Sequence, residues 1–410
     1  MVALGVANLA YFFAVTQRTS LGVASLEASK RFETTASQLA SLAVLQLVVY
    51  AGMQIPVGVL LDRFGPRILL ASGALAMGGG QLLVAFAPNL TMAVFGRMLV
   101  GLGDACTFIS MIRMVNNWTS GSKASKLQQW MATLGQLGQV ASAIPFVWLL
   151  KTSGWVVAFT SLASTALLVS AVIWLAVVDS PAHNIQSKPR LSQVLVALRE
   201  SVARASSRMG FWTHFCTQSS GTMFALLWGV PFVTSGEGYS PAVASGLLIL
   251  FVFTNATLGP ILGSIAARGE HLRSRIIITA PLAGIVAWVV VLLLPGQAPM
   301  WLLVSLVLVI GVGGPASMLA FDYTRIYVKK TQLGVVNGFV NIGGFLASLV
   351  MMAGVGVVLD SLNKGQGRET LYSLNHFREA LPVQFAITLI GLAMYLRERK
   401  RTYAVEGLPE

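Results

Sequence analysis

Gly58-Val59-Leu60-Leu61-Asp62-Arg63-Phe64-Gly65-Pro66-Arg67 is a short charged turn between two long apolar runs. A degraded copy returns 205 residues later as Gly263-Ser264-Ile265-Ala266-Ala267-Arg268, followed by Arg273 and Arg275. A charged connector repeated at half the chain length, in a chain otherwise so apolar, points to two related helical bundles in a membrane.

The composition agrees. The chain has 410 residues, 55% of them hydrophobic and only 10% charged, against about 25% charged in soluble domains. A helix needs roughly 20 apolar residues to cross the hydrocarbon core, and only helices and closed barrels satisfy their backbone groups there. The apolar runs are much longer than the ~10-residue alternating strands of a barrel, so the expected class is all-α. Twelve spans are read near 2–24, 39–61, 68–87, 90–114, 127–150, 155–178, 210–234, 241–266, 276–294, 299–323, 333–359 and 380–396.

The net charge of +13 is no sign of a nucleic-acid partner. With the N-terminus inside, the inner loops and tail, together with Arg113 at the inner end of its span, carry 20 of the 28 Lys and Arg, while the outer loops hold Lys30, Arg31, Lys151, Lys364, Arg368 and Arg378. That asymmetry is the positive-inside rule. It predicts a multi-pass protein of the cytoplasmic membrane with both termini cytoplasmic and the lipid bilayer as its solvent. Met1 leads directly into apolar sequence without a basic n-region, so no cleaved signal peptide is expected. Cys106 and Cys216 are spaced for neither zinc nor a disulfide framework and read as packing residues. The scattered histidines (His183, His214, His271, His376) suggest no metal site, and no Gly-x-x-x-x-Gly-Lys-Ser/Thr loop is present. No cofactor is expected.

The pattern is interrupted once, which divides the chain into a bundle at 1–178, a linker at 179–209, a second bundle at 210–396 and a tail at 397–410. Leu191 to Ala205 places Val194, Leu195, Leu198 and Val202 against Arg199, Glu200 and Arg204 at helical spacing. This suits an amphipathic helix on the inner membrane face or a solvated linker helix. The halves repeat weakly. Gly101 and Gly103 correspond to Gly311 and Gly313, and Gly138-Gln139-Val140-Ala141-Ser142 to Gly344-Phe345-Leu346-Ala347-Ser348. Repeats of six helices build many secondary transporters, with the solute site near the midplane.

The turn at 58–67 resembles the signature of the major facilitator superfamily between helices 2 and 3, with Pro66 where a basic residue is usual. Arg97-Met98-Leu99-Val100-Gly101-Leu102-Gly103 resembles that superfamily's second signature, Arg-x-x-x-Gly-x-Gly. The resemblance spans the whole chain and implies two six-helix bundles related by a pseudo-two-fold axis. It also implies that Gly58 lets helix 2 approach helix 11 and that Asp62 caps the start of helix 11 near Leu333 and Gly334, where the helix dipole favours a carboxylate. Arg63, Gly65, Arg67 and Arg113 would complete a conformational latch. The alternative is a tight turn whose charges only set topology. The second-half copy has Ala267 in place of Asp62, so this latch is one-sided.

Charged residues inside the membrane cost about 2.5–3.5 kcal/mol each on insertion scales, which makes them functional candidates. Arg18, Arg97 and Asp104 qualify. Arg97, Gly101 and Asp104 share one face of their helix, and Arg18 comes to a depth near that of Arg97, with Asp104 roughly 10 Å deeper. Arg18 suits an anionic group on a solute and Asp104 a proton carrier. The alternative is a structural Arg–Asp pair. Arg97 resembles the superfamily arginine tied to proton coupling, or its side chain snorkels toward the interface. Gln46, Gln136, Gln218, Asn337 and Asn341 are further candidate solute contacts.

The resemblance therefore implies a secondary transporter working by alternating access, functional as a monomer and without enzymatic activity. Residues 135–145 lack the Gly-Pro pair usual in drug antiporters. Arg18 and Gly338-Phe339-Val340-Asn341-Ile342-Gly343-Gly344 look more like branches that carry anions. Proton-coupled movement of a small anionic solute is the leading expectation. Efflux of amphipathic compounds and a transporter-like ligand sensor are the alternatives.

Overall fold

The computed structural model describes residues 2–119, 133–179, 202–328 and 333–407, with 127, 130, 131, 196, 199 and 200 between them. The amphipathic segment expected at 191–205 lies largely outside the described residues. The described residues are mostly helical, with no strand among them.

In the first half, α1 is Val2–Val23. Ala36–Ala85 is one helical run broken at Gly65, whose φ of 80° leaves the helical region; α2 is the part at 36–64 and α3 the part at 66–85. Pro66 opens α3, a first-turn position where its missing N–H costs nothing. Leu90–Trp118 is α4, started by Asn89, which accepts from Met92 N at 3.0 Å. Thr133–Ala176 is broken at Gly154 (φ 79°) into α5 (133–153) and α6 (155–176).

In the second half, α7 runs over 205–236, with π-helical turns at Phe224–Trp228 and Phe232–Gly236. Then follow α8 Pro241–Ala266, α9 Glu270–Leu293, α10 over 300–327, α11 Leu333–Leu362 and α12 Leu374–Glu406.

Among the described residues nine helices are long and apolar enough to cross a membrane, one of them the broken α5–α6 run. Absent from that set are α1 and α7, the opening helices of the two repeats. Both carry polar stretches, Thr16-Gln17-Arg18-Thr19-Ser20 and Thr213-His214 through Thr217-Gln218-Ser219-Ser220. Most of those side chains are buried.

Contacts divide the chain into two units, residues 1–34 with 41–193, and 35–40 with 194–410. Each has its own core. In the first unit, Ala7, Tyr11, Leu70, Met111, Val115 and Ile173 gather from α1, α3, α4 and α6. In the second, Met209, Ile277, Leu319, Tyr323 and Tyr395 do the same. The repeat is visible in how glycines pack. A Cβ on Gly138 of α5 would run into Phe12 O of α1, and one on Gly343 of α11, one residue before the Gly344 that the sequence pairs with Gly138, into Phe211 O of α7. Gly101 lies against Gln46 of α2 and Gly311 against Thr254 of α8. Gly103 and Gly313 differ, facing α3 and α7 respectively. Cys106 and Cys216 are free and buried.

Candidate functional site

In the first unit, α1 and α4 cross where their polar residues face each other. Arg18 donates to Asp104 twice, Nε to Oδ2 at 2.6 Å and Nη2 to Oδ1 at 2.8 Å. A planar guanidinium fits a carboxylate in this two-point way. The guanidinium carbon lies 5.0 Å from the centroid of the Tyr50 ring on α2, a cation–π distance. Asp104 is wholly enclosed, while 11% of the Arg18 side chain stays exposed. The open side of the pair is therefore the cationic one.

Arg97 is buried one layer away. Its Nη2 donates to Arg18 O at 3.0 Å and to Gln46 Oε1, and its Nη1 reaches Gln17 O and Ser20 Oγ, both at 3.3 Å. The fork grips the backbone of α1 at the residue that pairs with Asp104. It also ties in α2 through Gln46, whose carbonyl packs on Gly101. Gln136 of α5 donates to Tyr11 Oη at 2.7 Å and accepts from Gln139 at 2.6 Å. Thr19 and Ser142 join α1 to α5 by their hydroxyls at 2.8 Å.

Arg18, Asp104, Arg97 and Gln46 are thus brought into one connected group within the first unit, and Gln136 joins Tyr11 on α1. Tyr11, Gln17 and Tyr50 are members that sequence reasoning passed over. In the second unit, Gln218 Oε1 accepts from Ser317 at 3.2 Å and Asn337 Oδ1 from Thr324 at 2.6 Å. Asn341 is half-buried one turn beyond Asn337. His214 Nδ1 accepts from the Gly344 amide at 3.0 Å, fastening α7 to α11.

The charged turn is held by its own unit. Arg67 N donates to Asp179 Oδ1 at 2.6 Å, its Nη2 reaches Trp174 O, and its guanidinium lies 5.3 Å from the Trp174 ring centroid. Asp179 also sits where a Cβ on Gly65 would fall, so both the positive φ and the lack of a side chain are needed at that position. Asn117 Nδ2 anchors Asp179 O at 3.1 Å. Arg63 is exposed beside Phe64, and Arg113 is half-buried on α4. The side chain of Asp62 lies outside what the structure describes, as do the side-chain surroundings of Leu333 and Gly334, so the expected cap is not placed. No described atom lies within 4 Å of a Cβ placed on Gly58.

Residues 7–352 match the sequence pattern of the Major Facilitator Superfamily. The chain belongs to this superfamily. A solved bacterial homolog of the human lysosomal transporter Spinster, in an inward-facing and unoccupied conformation, superposes with a TM-score of 0.75 over 97% of this chain and 96% of that one, at 14% identity. That likeness concerns the superfamily fold alone. The probable sulfoacetate transporter SauU of Cupriavidus necator is 26% identical over 239 residues, 58% of this chain and 53% of that protein. The probable L-galactonate transporter of Escherichia coli is 26% identical over 153 residues, 36% of this chain and 34% of that protein. The chain thus spans a third to about half the length of these curated relatives.

Proposed function

We propose that this superfamily member is a secondary active transporter that moves a small anionic solute across the cytoplasmic membrane by alternating access, coupled to protons. The observation that carries the reading is the Arg18–Asp104 pair, with Arg18 partly open and Asp104 enclosed. Sulfoacetate and galactonate, named for two relatives, both bear acid groups that a guanidinium binds at two points.

The coupling follows from charge balance. A buried charge left without its partner costs several kcal/mol. A proton on Asp104 removes the charge that holds Arg18, and an incoming carboxylate or sulfonate replaces it. Proton and anion are therefore bound together, which makes the transporter a symporter. Arg97 holds the α1 backbone so that Arg18 keeps its place through the exchange. Gln46 and Gln136 supply neutral contacts to the rest of the solute.

The test is uptake of radiolabelled sulfoacetate and galactonate into proteoliposomes under an imposed pH gradient. Uptake driven by the gradient, and lost in Arg18→Ala and Asp104→Asn, is the expected result. Uptake unchanged in both variants would overturn the site. Gradient-driven export of amphipathic cations with no anion uptake would overturn the solute class.

A further inference from the structure

A helix begins with backbone N–H groups that have no partner inside it. At the start of α2, Thr35 and Gln38 form a capping box: Thr35 N donates to Gln38 Oε1 at 3.0 Å and Gln38 N to Thr35 Oγ1 at 3.3 Å. The N–H groups of Ala36 and Ser37 remain, and both end on one carboxylate. Ala36 N donates to Asp360 Oδ1 at 2.7 Å and Ser37 N to Asp360 Oδ2 at 2.9 Å, while Ser37 Oγ donates to Oδ2 as well. Asp360 stands at the far end of α11, more than 320 positions along the chain.

The approach is prepared by Gly356, one turn before Asp360. A Cβ there would lie 3.1 Å from Ala36 O and from Ser37 Cα, a tight contact, so the missing side chain eases the close approach of α11 to the first turn of α2. As a result residues 35–40 belong by their contacts to the second unit, although the body of α2 belongs to the first. A carboxylate gains here from the helix dipole and from charge-assisted hydrogen bonds. The bonds are also partly open to solvent. Water can take over the two N–H groups when the carboxylate leaves, so the contact is reversible.

We propose that Asp360 is a conformational clamp, gripping the start of α2 in one state of the transport cycle and releasing it in the other. The proposal rests on the transport reading above. It also supplies what the repeat lacks. The expected latch has Asp62, at the end of α2, capping the start of α11, and Ala267 provides no counterpart. Asp360 does, by capping the start of α2 from the end of α11.

The test uses a cysteine placed at Ala36, which is fully buried beneath the clamp; the native Cys106 and Cys216 are buried and give little background. In detergent-solubilised full-length protein, N-ethylmaleimide should label Ala36→Cys about tenfold faster when combined with Asp360→Ala. Asp360→Asn should lie between, and reconstituted turnover should fall in both. Equal labelling rates in well-folded protein would overturn the clamp, as would a lower Tm with unchanged labelling and turnover, which describes a static cap. If Asp360→Ala does not fold, the Asp360→Asn comparison decides by the same criteria. Faster labelling in a protein that takes up no anion under any gradient would sustain the clamp and overturn the transport reading.

Discussion

Arg18 and Asp104, 86 positions apart on α1 and α4, meet in a two-point ion pair in which Asp104 is fully enclosed. Removing one partner leaves a buried charge uncompensated, at a cost of about 3–5 kcal/mol. Removing both does not. Arg18→Gln and Asp104→Asn should therefore each lower the Tm in detergent markedly, and the double variant should recover much of the loss. Transport should be absent in all three. A double variant as unstable as the sum of the singles would mean that the two residues do not act as a pair.

Arg97 spreads its donors over Gln17 O, Arg18 O, Ser20 Oγ and Gln46 Oε1. Lysine keeps the charge but presents a point donor on a flexible stem. Arg97→Lys should lose stability by roughly 1.5–3 kcal/mol, the scale of a hydrogen bond to a charged group, and should lower turnover without moving the pH at which uptake is half-maximal. A shifted pH profile would instead assign Arg97 a direct part in proton movement.

How far the sequence reaches into this site depends on the kind of contact. Arg18 and Asp104 stood out as candidates because charge inside a membrane is conspicuous, but counting along the helices set Arg18 at the depth of Arg97, and only the fold pairs it with Asp104. The hold of Arg97 on the backbone of α1 was not legible, since carbonyl acceptors leave no mark on residue identity. Tyr11 and Tyr50 read as ordinary apolar positions; only their polar ends, placed by packing, put them beside the charges. Asp179 and Asp360 stand where long apolar runs finish, and nothing in the sequence singled them out, yet each closes a helix start distant in the chain. The repeat was legible in its glycines because close backbone approach tolerates no other residue.

Glu237 gives a pH dependence away from the transport site. It lies in the connector after α7, buried, with Oε2 accepting from Ala298 N at 2.7 Å. Burial raises its pKa above the ordinary 4.5, against the opposing pull of the Ala298 N–H and Arg378. The folded state therefore favours the protonated acid. Its contribution is fully present below the unfolded value near 4.5 and is lost as pH rises through the raised one. Glu237→Gln, which mimics the protonated form, should match the parent Tm near pH 4 and exceed it increasingly toward about pH 8. A constant difference across that range would rule out titration of Glu237 as the cause.

Gly58 and Gly138 separate conformational glycines from packing ones. A Cβ on Gly138 would run into Phe12 O, a backbone atom that cannot rotate away, so Gly138→Ala should cost on the order of 1–3 kcal/mol. Gly58 is helical, and no described atom stands within 4 Å of its added Cβ. By helix propensity Gly58→Ala should raise stability by up to about 1 kcal/mol. If α2 approaches α11 closely at Gly58 in another state of the cycle, the same methyl obstructs that state. Gly58→Ala should then keep or raise the Tm while lowering the maximal rate of uptake several-fold. Full uptake with a raised Tm would show that no such approach occurs during transport, and would remove Gly58 from the latch.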